Sequence, residues 1–305
     1  MRTIHMKEFL RLPTATDLKN IVKLHKSVHS IESLDCTHTF WKNCPKAWQG
    51  SYKVKESKPS IVMESVADYF LFLWHALYGY TGTLNDNTIL HLSPFMDRLL
   101  DGTFHELKAE AAVVPFMIKE EQFDKVFVLV DGIYPLYSRF VRVIKEHATR
   151  EEKNYTSWQE GARKDVERAF GALKNTPWQF LDRPILLHDL KDISNIVVSC
   201  LLLLNILVTD RVLQEASDTY YNYRERYADP SVGAPDPFDW CEVQQPADLQ
   251  IVQNAPAGER RTVIGINNAP PTVQAAMTRS DRFAELNDPA KNRRLHMALM
   301  TNFNT

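Results

Sequence analysis

Three acidic residues stand where an isolated carboxylate would be costly: Asp35 in SLDCTH, Asp131 in FVLVDGIYP and Glu167 in ARKDVERAFGALK. Each follows or sits within an apolar or aromatic stretch, and an ionised carboxylate buried there must be paired or hold a metal. Taken singly, an Asp at a strand end reads as a loop or helix-capping residue. Glu167 likewise reads as part of a solvated helix with ion pairs, since Arg163, Lys164, Arg168 and Lys174 surround it. Taken together, the three can form an oxygen cage for Mg²⁺ or Mn²⁺, hard cations that prefer carboxylate ligands. Two such ions activate a water and stabilise the leaving oxygen in phosphodiester cleavage. Asp86, after Thr83-Leu84-Asn85, is either a fourth ligand or the N-cap of a helix beginning near Asn87. Asp68, Asp97 and Asp165 have no such motif around them and read as surface acids.

Basic and aromatic residues cluster beside the first of these carboxylates. Lys42, Lys46, Lys53, Lys55 and Lys58 alternate with Trp41, Trp48 and Tyr52, a mixture suited to phosphate contacts and to stacking on unpaired bases. The competing reading is a solvated hairpin with core aromatics. Arg139, Arg142, Lys145, Arg163 and Lys164 extend the same basic surface. His38 lies three residues from Asp35, but with Cys36 and Cys44 it does not close a tetrahedral zinc site, so it contacts phosphate or packs. His75, in an aromatic strand, reads as structural.

The elements that must position these residues alternate between strand-like and helix-like patterns, which favours an α/β or α+β domain. Leu18, Ile21, Val22 and Leu24 share one side of a short amphipathic helix over residues 15–29. Strands are expected over Ser33 to Cys36, Ser60 to Asp68 and Tyr69 to Tyr78, as a three-stranded meander. Helical spacing returns from Thr88 to Leu100. Phe127 to Val130 reads as a central buried strand. Glu151 to Lys174 then forms a charged helix that Pro177 must end. Ile193 to Leu213 is a hydrophobic helix, with Ser217 to Tyr227 as its polar, tyrosine-rich extension.

Eight of the 16 prolines lie from Pro230 onward, and the text there lacks periodicity long enough to build a core. Residues 229–305 are accordingly expected to be a mostly disordered tail, with one short helix from Pro289 to Met300. With 36 basic and 38 acidic residues and a formal charge of −2, overall charge cannot hold nucleic acid, so DNA binding would need a local basic surface. Four scattered cysteines argue against a disulfide framework and for a reducing compartment. The N-terminus lacks the apolar core of a signal peptide. The longest apolar run, Ile196 to Val208, is interrupted by Ser199 and Asn205 and reads as a buried helix rather than a membrane span.

Four separated phrases, DCTHTFWKNCPKAWQGSYK from Asp35, GYTGTLND from Gly79, LVDGIYP from Leu129 and ERAFG from Glu167, occur in one order. Together they resemble the DDE nuclease domain of PIF/Harbinger-superfamily transposases, from about Leu10 to Asp210. The resemblance implies an RNase H-like mixed sheet flanked by helices, with the first Asp on the first strand, the second just after the fourth and the Glu on a later helix. On that mapping Asp35, Asp131 and Glu167 are catalytic, and they and Asp86 bind Mg²⁺ or Mn²⁺. DNA contacts fall to His38, Lys42, Lys46, Lys53, Arg163 and Lys164. The implied substrates are transposon ends and target DNA, the implied partner is a separate Myb-like DNA-binding protein, no membrane is involved, and the implied location is the nucleus.

The resulting organisation is a shortened N-terminal helical segment (1–32), the nuclease domain (33–210), a helical extension (211–228) and the tail (229–305). Departures from the family pattern are the direct approach HSIESL to Asp35, where a glycine-containing segment is usual, and Leu204-Asn205 in place of His-Asn. They raise the alternative of a catalytically inactive or domesticated DNA- or protein-binding module whose acidic cluster serves stability.

Overall fold

The computed structural model describes residues 9–10, 30–53, 58–101, 116–118, 121–123, 127–146, 148–175, 179–227, 251–252, 263–264 and 279–302. The helix expected over 15–29, most of the proline-rich tail and Lys55 lie outside these residues.

β-branched and aromatic residues set the first three strands: β1 (Ser30–Phe40), β2 (Ser60–Ala67) and β3 (Leu73–Thr81). They form the expected antiparallel meander, with Asp35 opposite Ser65 and Ser65 opposite Ala76. A separate hairpin pairs β4 (Phe116–Ile118) with β5 (Glu121–Phe123). β6 (Phe127–Leu129) runs parallel to β1, and β7 (Phe140–Val141) parallel to β6, giving the five-stranded order β3-β2-β1-β6-β7. β1 is the middle strand, and its 11 residues exceed the four expected, so the first strand is not shortened. β3 begins four residues later than expected. Asp68 accepts from the backbone N–H groups of Phe70 and Phe72, which holds the chain in a turn there, and Leu71 takes the left-handed conformation at φ 73°.

Two glycines let the meander close. Gly79 is the extra residue between Tyr78 and Tyr80, which pair with the adjacent Met63 and Val62, and it adopts φ 119°, open only to glycine at such a bulge. Any Cβ on Gly82 would lie 2.7 Å from the Tyr52 carbonyl oxygen and 2.9 Å from that of Ser60.

Helices cover both faces. α1 (Gln49–Tyr52) is a single turn after β1, and α2 (Asp86–Leu92) and α3 (Pro94–Asp101) follow β3. α4 (Arg150–Asn175) crosses β1, β2 and β6 and ends before Pro177 as expected. Its buried stripe, Tyr155, Gln159, Val166, Phe170 and Leu173, follows helical spacing. Gln159 Nε2 donates to the carbonyls of Val130 (3.0 Å) and Val141 (2.9 Å), tying the ends of β6 and β7 together. α5 (Leu190–Tyr227) joins the hydrophobic helix and its polar extension in one element. By length and composition its segment Leu190–Arg211 could cross a membrane, yet Ile193, Val197, Leu201 and Leu204 are buried in the core, and the helix packs on β3. Asn205 fixes the contact: its Oδ1 accepts from Leu73 N–H and its Nδ2 donates to Leu73 O, each at 2.9 Å.

The last described segment contains the short helix expected from Pro289 to Met300 and a second one before it. Two helices, α6 (Arg279–Leu286) and α7 (Pro289–Asn302), pack on the domain. Asn292 Nδ2 donates to the carbonyls of Tyr137 (2.5 Å) and Phe140 (3.0 Å), while Leu295, Ala298 and Leu299 are buried.

Candidate active site

Successive residues of a strand point to opposite faces, and β1 uses this to divide its polar side chains. Asp35 and Thr37 face α4, where Arg163 reaches Asp35 and Lys174 Nζ donates to Thr37 Oγ1 at 2.7 Å. Cys36 and His38 face the α2 side, close to Asp86. Asp35 is not at a strand end but midway along β1. β6 stops short of it, however: Ser33 is level with Leu129, the last residue of β6 and two before Asp131.

Arg163 organises the α4 side of the site. Its Nη1 lies 3.5 Å from Asp35 Oδ2 and 3.0 Å from Glu167 Oε1, so the two carboxylates stand within the sum of those distances of each other. The spacing of Arg163 and Glu167, four residues apart on α4, puts them on one helix face. The Asp35 and Arg163 side chains are 19% and 17% exposed, against 45% for Glu167. Asp35 also accepts its neighbour's N–H, from Cys36 at 2.8 Å. Burial pushes the Asp35 carboxyl up to about 6. The Cys36 N–H and Arg163 oppose the rise, and the negative charges of Asp86 and Glu167 add to it.

Asp131 is exposed directly after the apolar β6 and accepts from Gly132 N–H at 2.7 Å. Asp86 is the first residue of α2. The cap itself is Asn85, whose side chain accepts from Thr88 N–H at 2.8 Å and Thr88 Oγ1 at 2.9 Å. The capping alternative for Asp86 is thereby removed. Burial raises its carboxyl, with Asp131 and Glu64 adding to the rise and Cys36 and His38 opposing it.

The four acidic residues thus share one electrostatic field, but they do not form one contact cluster. Among the described residues, no three His, Cys, Asp or Glu side chains stand close enough to hold one ion together. Two features account for this: Arg163 stands between Asp35 and Glu167, and Asp86 belongs to a helix packed on the other face of the sheet.

The flanking basic residues divide. Lys42, Lys46, Lys53 and Lys164 are exposed. Arg163 is not a free surface charge. His38 Nδ1 is 3.0 Å from Ser60 Oγ, and burial lowers its pKa. Two of the three aromatics between the lysines are core residues, against the base-stacking reading: Trp41 is fully buried and Tyr52 is 3% exposed, while Trp48 is half-buried against them. Trp41 donates from Nε1 to Leu187 O at 2.7 Å, and the Trp41 and Tyr52 ring centroids lie 5.1 Å apart at right angles. Two acids expected on the surface are also buried. Asp68 accepts a third bond from Trp74 Nε1 at 2.9 Å, and Asp165 pairs with Arg168. The side chain of Asp97 lies outside the described residues.

A model of the family described as plant transposon protein matches residues 7–214, a span containing every one of these acidic and basic residues. The chain belongs to that family. No curated protein and no solved structure matches it. The core also holds a polar group that sequence reasoning missed: Glu64 Oε2 lies 3.1 Å from His75 Nε2, which lies 3.3 Å from Ser93 Oγ. The signal was present in Glu64, the one charged residue of β2. The Arg163-to-Glu167 spacing was a second such signal.

Proposed function

We propose that the domain is a DDE-type transposase or endonuclease of the PIF/Harbinger kind, cleaving and transferring DNA strands with Asp35, Asp131 and Glu167. The observation that carries the reading is the placement of these three. Asp35 is on the first strand of the main sheet, Asp131 follows the fourth in chain order, and Glu167 is on the helix that crosses β1. That is the arrangement expected of an RNase H-like nuclease.

The donor set fits a hard divalent cation. It is all oxygen, and the Asp35 carboxyl, pushed up by burial and by its acidic neighbours, is the kind of group that a cation would return to the ionised state. Asp35 and Glu167 would hold Mg²⁺ or Mn²⁺, with Asp86 and Asp131 as the further carboxylates. Such an ion, when bound, supplies an activated water and charge stabilisation at the leaving oxygen. The chain's own part is to fix the carboxylates on rigid elements. Asp35 is locked into the β1–β2 ladder, and Asp131 follows strands clamped by Gln159. Exposed Lys42, Lys46, Lys53 and Lys164, with His38, would bind DNA phosphates and orient the backbone. Work in the nucleus with a separate Myb-like protein for sequence recognition completes the reading.

The second reading, an inactive domesticated module, is favoured by one contact: a guanidinium already joins Asp35 to Glu167. Nicking of supercoiled plasmid in Mn²⁺ separates the two. The nuclease reading expects wild-type nicking that Asp35→Ala and Asp131→Asn abolish, with the far-ultraviolet circular dichroism unchanged. Wild-type protein that is folded but never nicks, or variants that nick equally well, would reject it.

A further inference from the structure

The contact that favours the inactive module has a second interpretation. Arg163 Nη1 meets Asp35 Oδ2 at 3.5 Å and Glu167 Oε1 at 3.0 Å, placing one positive nitrogen between the two carboxylates that a shared cation would need. The guanidinium is largely shielded from water, and its Nε is buried without a hydrogen-bond partner. A structural ion pair would be expected to use the planar fork of arginine more fully, with parallel bonds to one carboxylate. Here a single nitrogen is divided between two acids, one at the outer limit of hydrogen bonding, while Nε has none. The arrangement neutralises the acidic pair but leaves the guanidinium with unused donors.

Those donors match a phosphate. Arginine pairs bidentately with phosphate oxygens, so a DNA backbone laid along α4 offers Arg163 a better partner than the one it has. Lys164, exposed on the adjacent position of α4, and Lys174, against Thr37 further along the same helix, add positive charge on the route such a strand would take.

We propose that Arg163 is a plug that DNA withdraws: it occupies the Asp35–Glu167 pair in the free protein and moves to a backbone phosphate when DNA binds, leaving the carboxylates for the divalent cation. The inference rests on the nuclease reading and adds to it an order of events in which metal binds tightly only after substrate. It gives a role to the guanidinium that stands between Asp35 and Glu167 in the free chain, and it would keep a metal-loaded nuclease from existing without its DNA. By linkage, whatever factor DNA adds to metal affinity, metal must add to DNA affinity.

The test is calorimetric titration of Mn²⁺ into the full chain, free and bound to a short mixed-sequence DNA duplex, with Ca²⁺ as a parallel probe that keeps DNA intact. Wild type is expected to bind Mn²⁺ about tenfold more tightly with DNA than without, the size of effect one charge-assisted contact can produce. Arg163→Gln should bind Mn²⁺ about tenfold more tightly than wild type in the absence of DNA, and DNA should then add about twofold or less. Arg163→Lys, which keeps the charge but loses the fork, should fall between them and guards against a fold defect in the glutamine variant. If Arg163→Gln and Arg163→Lys bind free Mn²⁺ no better than wild type while wild type does bind it, the plug is wrong and the nuclease reading stands. If no protein binds Mn²⁺ with or without DNA, both fall.

Discussion

Asp68 and Asp35 are both partly or wholly buried carboxylates at the same sheet, and they are built in opposite ways. Asp68 receives three donors, from Phe70 N–H, Phe72 N–H and Trp74 Nε1, at 2.8, 3.0 and 2.9 Å. Asp35 receives one short bond from its own neighbour and a long one from Arg163, while Asp86 and Glu167 repel it. The first carboxylate is consumed by the fold, holding the β2–β3 turn. The second is left with capacity to accept more, beneath the helix that carries Arg163. Counting donors per carboxylate therefore separates acids that fold this protein from acids available to a ligand, where burial alone does not.

The strongest break of that contrast is removal of each group in turn. Asp68→Ala should cost about 3 kcal/mol or more in urea unfolding, because three buried donors lose their acceptor. Asp35→Ala should stay within about 1 kcal/mol of wild type, since little is left unpaired. Equal costs would erase the distinction. Next in size, Asn205→Leu should lose about 2 kcal/mol, stranding the N–H and carbonyl of Leu73 at the start of β3.

The Asp35 carboxyl, held near 6 in the folded chain against an ordinary value of 3.8, binds its proton more tightly folded than unfolded. Its contribution to stability therefore falls as pH rises from about 4 to about 6, then stays level. Asp35→Asn removes that slope. The variant should be more stable than wild type at pH 7, by an amount on the order of 1–2 kcal/mol, and match it near pH 4, as thermal melts across pH would show. A wild type more stable than the variant at pH 7 would mean that Arg163 outweighs burial. The smallest expected effect is Trp41→Phe, about 1 kcal/mol from the lost bond to Leu187 O, with DNA affinity by fluorescence anisotropy unchanged because the ring is buried. A large loss of DNA affinity would return this ring to the nucleic-acid surface.

Much of this was legible in the residues. Val, Ile and aromatic enrichment marked β2 and β3, an apolar stripe marked α4, a long apolar run marked α5, and an apolar run ending in an acid marked Asp131. Local pattern failed where the deciding interaction was remote. Asp68 looked like a surface acid because its third donor, Trp74, is recruited only when the turn folds. Trp41 looked available for bases because its partner, Leu187, is 146 residues away. Asp86 resembled a cap because Asn85, one residue earlier, is chemically its near twin. β7, with two residues, is too short to leave a periodic trace. The pairing of Asp35 with α4 depends on Arg163, which composition presents only as one more cation in a charged helix.

Asn292, from almost the end of the chain, holds the carbonyls of Tyr137 and Phe140 in the loop that leads from Asp131 into β7. The family match stops at residue 214, well before that asparagine. The family match and the packed structure therefore end at different places. An expression fragment trimmed to the matched span would expose the faces of Leu295 and Leu299's partners and take from the Phe140 carbonyl its contacts with Asn292 and His296, close behind the second acidic residue of the site, while the Tyr137 carbonyl would keep only the Phe140 N–H. Any inactivity found in such a fragment would speak to the trimming before it spoke to the chemistry.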